Sequence, residues 1–329
     1  MKRYLSLVVL LMSVVSCGTG GGGGGTTTNQ PAAQTLSDVV TDGRVNAIAV
    51  GSDGTTYIGG DFTRVGRSTG YGAPLSTIDA APWSSYARVN GPVYAAVADG
   101  SGGWYIGGSF SKVGTVTRNN IAHIMSSGAV DCLWDPNANS VVYSLAKGTG
   151  TVFAGGLFTS IGGSSRGNVA ALDVLSGTAQ SWAADTNGAV SAIAVNGATV
   201  YIGGSFTMVD IQARNHIAAV SVSNGAVHAW NPNANDSVFA LAVSGTTVYA
   251  GGMFTSIGGQ SRGNIAALKD TDGSADTSWS ADANGSVSSI IVNGSTMYVG
   301  GNYTAIGGQA RSYLAALNSA GGAALDRQR

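Results

Sequence analysis

The sequence predicts an all-β fold built from six copies of one unit, and three observations carry that prediction. A Gly-Gly pair recurs at Gly59, Gly107, Gly155, Gly203, Gly251 and Gly300, with spacings of 48, 48, 48, 48 and 49 residues. An aromatic residue stands two positions before every pair (Tyr57, Tyr105, Phe153, Tyr201, Tyr249, Tyr298) and another three positions after its first glycine (Phe62, Phe110, Phe158, Phe206, Phe254, Tyr303). The composition agrees: among 329 residues there are 51 Gly, only 10% are charged, and every acidic residue is Asp. Glu favours helices while Asp and Gly favour turns, so the bias points to many short strands joined by tight turns. Four candidate strands in each period of this length match one blade of a β-propeller. The expected architecture is therefore a six-bladed β-propeller of four-stranded antiparallel blades, with a seven-bladed or incomplete ring as the alternative.

In chain order, residues 1–16 read as an export signal. Lys2 and Arg3 precede an apolar run over 4–15, too short to cross a bilayer as a mature helix but suited to a signal core. The run ends in Val14-Val15-Ser16-Cys17, which resembles the lipobox of bacterial lipoproteins and implies cleavage before Cys17 and lipidation of Cys17. An ordinary signal with an incidental cysteine is the alternative. Gly18 in place of Asp after the cysteine resembles the outer-membrane sorting pattern. Residues 17–31 are then a lipidated cysteine followed by a Gly/Thr-rich tether that buries nothing and behaves as flexible coil. The expected location is the bacterial cell envelope, as an exported, membrane-anchored lipoprotein at the outer membrane or cell surface.

Residues 32–329 hold the repeats, at about 44–91, 92–140, 141–188, 189–236, 237–285 and 286–329. In the fourth copy the candidate strands are 190–195, 199–206, 216–220 and 226–230. Asn196-Gly197 and Asn293-Gly294 supply residues that tolerate positive φ, fitting a tight hairpin between the first two strands. The strands are apolar on both parities, which suits sheets buried on both faces in a ring better than a stacked β-solenoid. A tryptophan ends the fourth strand at Trp134, Trp182, Trp230 and Trp279, but residues 323–329 lack one and predict a poor outer strand for the sixth copy. Residues 32–36 lie in the same phase as those tryptophan segments. They are expected to pair into the sixth blade and remove an open edge.

Assembled, the pattern Gly-Gly-x-Phe-Thr, Ile-Gly-Gly, Arg-x-Asn-Ile-Ala-Ala-Leu, Asp-Gly, Trp resembles the bacterial delta-60 repeat family of predicted β-propellers, best over 155–172 and 251–268. A looser similarity extends to propellers of fungal cortical polarity-marker proteins. The resemblance covers about residues 40–326; it implies the fold and is nearly silent on activity. The first copy departs from the pattern between Arg67 and Asn90, lacking the arginine and a well-placed tryptophan.

The function classes narrow accordingly. Net charge is −1 with no basic stripe, so nucleic acid is not an expected partner. Two cysteines, Cys17 and Cys132, are too few for a disulfide framework. Arg118, Arg166, Arg214, Arg262 and Arg311 each fall 11 residues after the first glycine of their pair, so a propeller would set them in a ring on one face. They either bind an anion through bidentate guanidinium groups or tie their loops to carbonyls or a crossover Asp; strict periodicity favours the architectural role. Asp135, Asp185, Asp236 and Asp282, in the crossovers between copies, are weak calcium candidates, because Asx turns explain the same residues and no loop has the full calcium series. No metal or other cofactor is expected. His123, His216 and His228, the three histidines, show no triad or zinc spacing. Non-repeated aromatics, Tyr71, Trp83, Tyr86 and Trp104, are candidates for ligand binding, with local packing as the alternative. The expected function is a binding or interaction module for a protein or glycan, monomeric and held at the membrane by its lipid. An exported enzyme acting on polysaccharide and a structural envelope component are the alternatives.

Overall fold

The computed structural model describes residues 45–50, 56–65, 67–68, 71–75 and 86–325. The signal segment, Cys17, the tether, residues 32–36 and Trp83 lie outside the described residues. All regular structure in this range is β: six three-stranded antiparallel sheets, one per sequence repeat, each accompanied by a two-stranded ribbon.

The fourth sheet shows how a repeat folds. Its inner strand Val190–Asn196 pairs with the middle strand Thr199–Gly204, which pairs in turn with the outer strand Ile217–Ser221. Asn196 faces Thr199, leaving a two-residue turn in which Gly197 adopts a φ of 57°, as the Asn-Gly signal requires. A register shift between Val190 and Ala192 is repeated at the same place in the other sheets. The link from middle to outer strand is not plain loop: Met208–Val209 and Gln212–Ala213 form the ribbon.

The expected fourth strand is a correction. Instead of a strand over 226–230, the segment makes one bridge, Val220 to Val227. It adds two flanking backbone hydrogen bonds, Ser221 N to Ala226 O and His228 N to Ala219 O, both 2.9 Å. In four copies a tryptophan follows this bridge. Trp230 leaves the sheet edge, and its indole N–H donates to the carbonyl of Lys269 in the next sheet at 2.8 Å. Trp134, Trp182 and Trp279 do the same to Asp173, Ser221 and Ser319. Each tryptophan also packs on the aromatic of its own middle strand, as Trp182 does on Phe153 at 5.4 Å between ring centroids. Satisfying a buried indole donor in this way avoids the penalty of an orphaned polar group.

The sixth copy follows the same plan. Its outer strand Leu314–Asn318 pairs fully with Thr296–Gly301. Its own segment then bridges Leu317 to Ala324, with Leu325 N donating to Ala316 O at 2.8 Å. Residues 32–36, expected to pair into this sheet, lie outside the described residues.

Packing runs sheet to sheet. Five apolar clusters span the five junctions between consecutive sheets. At each junction a valine from the incoming inner strand (Val93, Val142, Val190, Val238 or Val287) is fully buried. It sits on the first glycine of the preceding pair. A Cβ built on Gly59, Gly107, Gly155 or Gly203 would lie 2.6–2.7 Å from that valine's Cγ1, and Gly251 is similarly closed by Val287. Any side chain there would force the sheets apart, which accounts for the first glycine of the pair at each of these five junctions. Inner strands pack in series from the first sheet to the sixth; among the described residues the sixth does not pack against the first.

Candidate interaction surface

The periodic polar residues are spent on backbone. Arg262 illustrates the arginine series: Nη1 donates to Ser261 O at 2.9 Å and Nη2 to Asp276 O at 2.9 Å, tying the ribbon loop to the outer segment of the same sheet. Arg166, Arg214 and Arg311 make the corresponding pair of bonds. Arg118, the buried member, adds the carbonyl of Cys132 and a 3.3 Å contact with Asp135. These bonds hold each loop to its own sheet, while Nε of Arg118, Arg166, Arg214 and Arg262 is buried without a hydrogen-bond partner.

The crossover aspartates are likewise occupied. Asp185 and Asp282 accept the backbone N–H of Gly167 and Gly263 at 2.8 Å, and Asp236 accepts that of Ser237. Each sits in a separate crossover, and among the described residues no group of three or more metal-ligating side chains gathers. A second polar ladder, only partly visible within the crossover motifs, consists of Asn90, Asn139, Asn187, Asn235 and Asn284. In each, Oδ1 accepts two consecutive backbone N–H groups of the following ribbon, as Asn187 does from Thr207 at 2.8 Å and Met208 at 3.0 Å.

The aromatic candidates of the first two copies do not form an exposed platform. Trp104 is a correction: it occupies the buried position of Val152 and Val200 in later copies and stacks on Tyr57, 5.6 Å between centroids, inside the first junction. The indole N–H of Trp104 and the hydroxyl of Tyr57 are both buried without a hydrogen-bond partner. Tyr71 and Tyr86 are half-buried against the same cluster.

One constellation escaped the sequence reading. His123 lies between two carboxylates, with Nδ1 2.9 Å from Asp131 and Nε2 3.1 Å from Asp99, and its ring stacks on Tyr105 at 4.3 Å. Burial, reinforced by Asp99, Asp131 and Asp173, pushes the Tyr105 hydroxyl up to about 12. His123 is nearly buried, and it stands where Ala171, Ala219, Ala267 and Ala316 stand in later copies. That substitution in an alanine column was the available signal. The arrangement clamps the hairpin turn and the outer segment to the sheet between them.

What the repeats leave unspent is the outer face of the sixth sheet. Ile291, Tyr298 and Leu314 lie side by side on it, at 52%, 46% and 65% exposure, with Ser289, Gly300 and Ala316 between them. In the fifth sheet the counterparts of Tyr298 and Leu314, Tyr249 and Ile265, are 5% and 0% exposed because the sixth sheet covers them. The opposite face of the sixth sheet, with Ile290, Met297, Val299 and Leu317, is buried. The exposed face carries no charged side chain.

Comparison with known proteins supports the fold. A family described as "Domain of unknown function (DUF5122) beta-propeller" matches residues 100–131, in the second repeat. No curated protein matches the chain. Among solved structures, the crystal structure of the computationally designed Ika8 protein is similar, with a TM-score of 0.52 and 14% identity over 88% of this chain and 89% of that one. At that identity the likeness is one of fold. The chain is a β-propeller-type repeat protein.

Proposed function

We propose that this chain is a protein-interaction module: a propeller of six blades in an incomplete ring, exported and held at the bacterial cell envelope by a lipid on Cys17. The observation that carries the interaction role is the uncharged apolar face of the sixth sheet, where Ile291, Tyr298 and Leu314 remain exposed. A contiguous apolar surface marks a protein contact more readily than a sugar site, which draws on polar groups around a ring-stacking aromatic. The reading draws on neither an anion nor calcium. The anchor explains how such a module would be kept at a surface.

Two experiments test the reading. The purified chain, immobilised, is expected to retain protein, and Leu314→Asp to lose that retention. Binding confined to a glycan array, or sugar release from a polysaccharide panel, supports the glycan or enzyme reading instead. Metabolic labelling with a radioactive fatty acid should mark the parent and not Cys17→Ala; equal labelling removes the anchor from the proposal.

A further inference from the structure

We infer that the bare face of the sixth sheet is the docking site for the first sheet of a second copy of this chain. The inference deepens the interaction-module reading and rests on it. The chain displays the chemistry of this contact five times within itself, each time as a valine on the incoming inner strand seated on the first glycine of the preceding sheet. Gly300 is the sixth such socket. The three atoms nearest a Cβ built on it belong to Ser289 and Tyr313, on its own side of the interface, and none is a valine of an incoming strand. At the other end of the array Val45 is the matching knob. It pairs with Gly60 as Val93 pairs with Gly108, yet it is 38% exposed while its five counterparts are fully buried.

One chain thus presents an unfilled socket and an unfilled knob of the same interface at opposite ends, and among the described residues its first and sixth inner strands do not pack as neighbouring ones do. The sixth sheet offers Ile291, Tyr298, Leu314 and a glycine floor, with no charge to desolvate or repel. A contact of knob on socket is heterologous, so it either closes reciprocally between two copies or runs on into longer assemblies. This departs from the monomer expected of a closed ring.

The test is sedimentation of the full chain over a range of concentrations, with Val45→Asp, Tyr298→Asp and Leu314→Asp variants. The parent should show a mass that rises with concentration to a dimer or beyond. Each variant should stay monomeric while keeping the parental far-ultraviolet spectrum and melting temperature, because all three residues are exposed in one copy. An equimolar mixture of Val45→Asp, which keeps its socket, and Tyr298→Asp, which keeps its knob, should recover a one-to-one dimer and nothing larger. A parent that is monomeric throughout, with Val45→Asp lowering the melting temperature, overturns the inference in favour of closure within one chain. Self-association that persists in both single variants, or a mixture that fails to associate, overturns it as well. A monomeric parent that still retains another protein through Leu314 overturns this inference alone and leaves the interaction-module reading standing.

Discussion

His216 occupies a position built for asparagine, and replacing it with asparagine should stabilise the protein. Asn120, Asn168, His216, Asn264 and Tyr313 all adopt a left-handed φ between 64° and 68° as the chain enters the outer strand. Three of them use the side chain: Nδ2 of Asn120, Asn168 and Asn264 donates to Ala138, Thr186 and Ala283 at 2.9, 2.7 and 2.8 Å. His216 makes no such bond, and its Nδ1 is buried without a partner. By the repeat, the acceptor missed by His216 is the carbonyl of Ala234. Recovering that bond contributes about 1 kcal/mol, and removing the orphaned nitrogen roughly 1 kcal/mol more. The lost ring burial, at ~25 cal/mol per Å² over a few tens of Å², offsets about 1 kcal/mol. The net gain is about 1 kcal/mol, or ~2–4 °C in Tm for a domain of this size. Calorimetry of His216→Asn beside Asn168→His reads it, the second variant falling by a similar amount. An unchanged His216→Asn together with an Asn168→His as stable as the parent would refute the reasoning.

Other consequences follow from the same contacts. Trp182→Ala removes a buried indole and its bond to Ser221, so unfolding in urea should show a loss of ~3–5 kcal/mol, largely recovered in Trp182→Phe; a loss below about 1 kcal/mol contradicts the strap. Gly155→Ala must push Val190 away and should cost ~1–3 kcal/mol, whereas Gly300→Ala should leave the Tm of a dilute sample near that of the parent; equal effects count against the junction. Arg262→Gln should lower stability by about 1 kcal/mol while sulfate protects parent and variant alike; protection specific to the parent restores an anion site. The raised Tyr105 hydroxyl sets an alkaline limit. Its folded value exceeds the ordinary ~10, so the stability it contributes is complete below pH ~10 and is lost as the pH climbs toward 12. Absorbance titration of the parent against Tyr105→Phe should assign one late-ionising tyrosine, and a midpoint near 10 for that group contradicts the burial argument.

The repeat and its strand pattern were legible because Gly-Gly and the paired aromatics are direct images of one packing event. A valine needs a glycine floor, and that demand recurs at each of the five junctions. The fourth segment was misread because Ala226 to Trp230 looks like a strand locally; its tryptophan is held by a carbonyl 39 residues away in the next sheet, which no local pattern encodes. Trp104 misled for a related reason. A tryptophan after a Ser-Gly-Gly turn suggests exposure, but its parity places it on the inward face of a middle strand. Asp99 and Asp131 lie 24 and 8 residues from His123, so only the hairpin and the outer segment bring them together. The bare sixth face was invisible in sequence because Ile291, Tyr298 and Leu314 are ordinary core residues of the repeat. Their exposure depends on what lies beside them.

The tryptophan strap also bears on how such a chain lengthens or shortens. Each indole is supplied by one copy and received by the carbonyl of the next, so the structural unit is out of phase with any single stretch of sequence. Removing or duplicating one full period, from whatever starting residue, rejoins a donor to an equivalent acceptor and a valine to an equivalent glycine. Unequal recombination between copies therefore meets no junction penalty in the interior, and the number of sheets is left to be selected at the two ends.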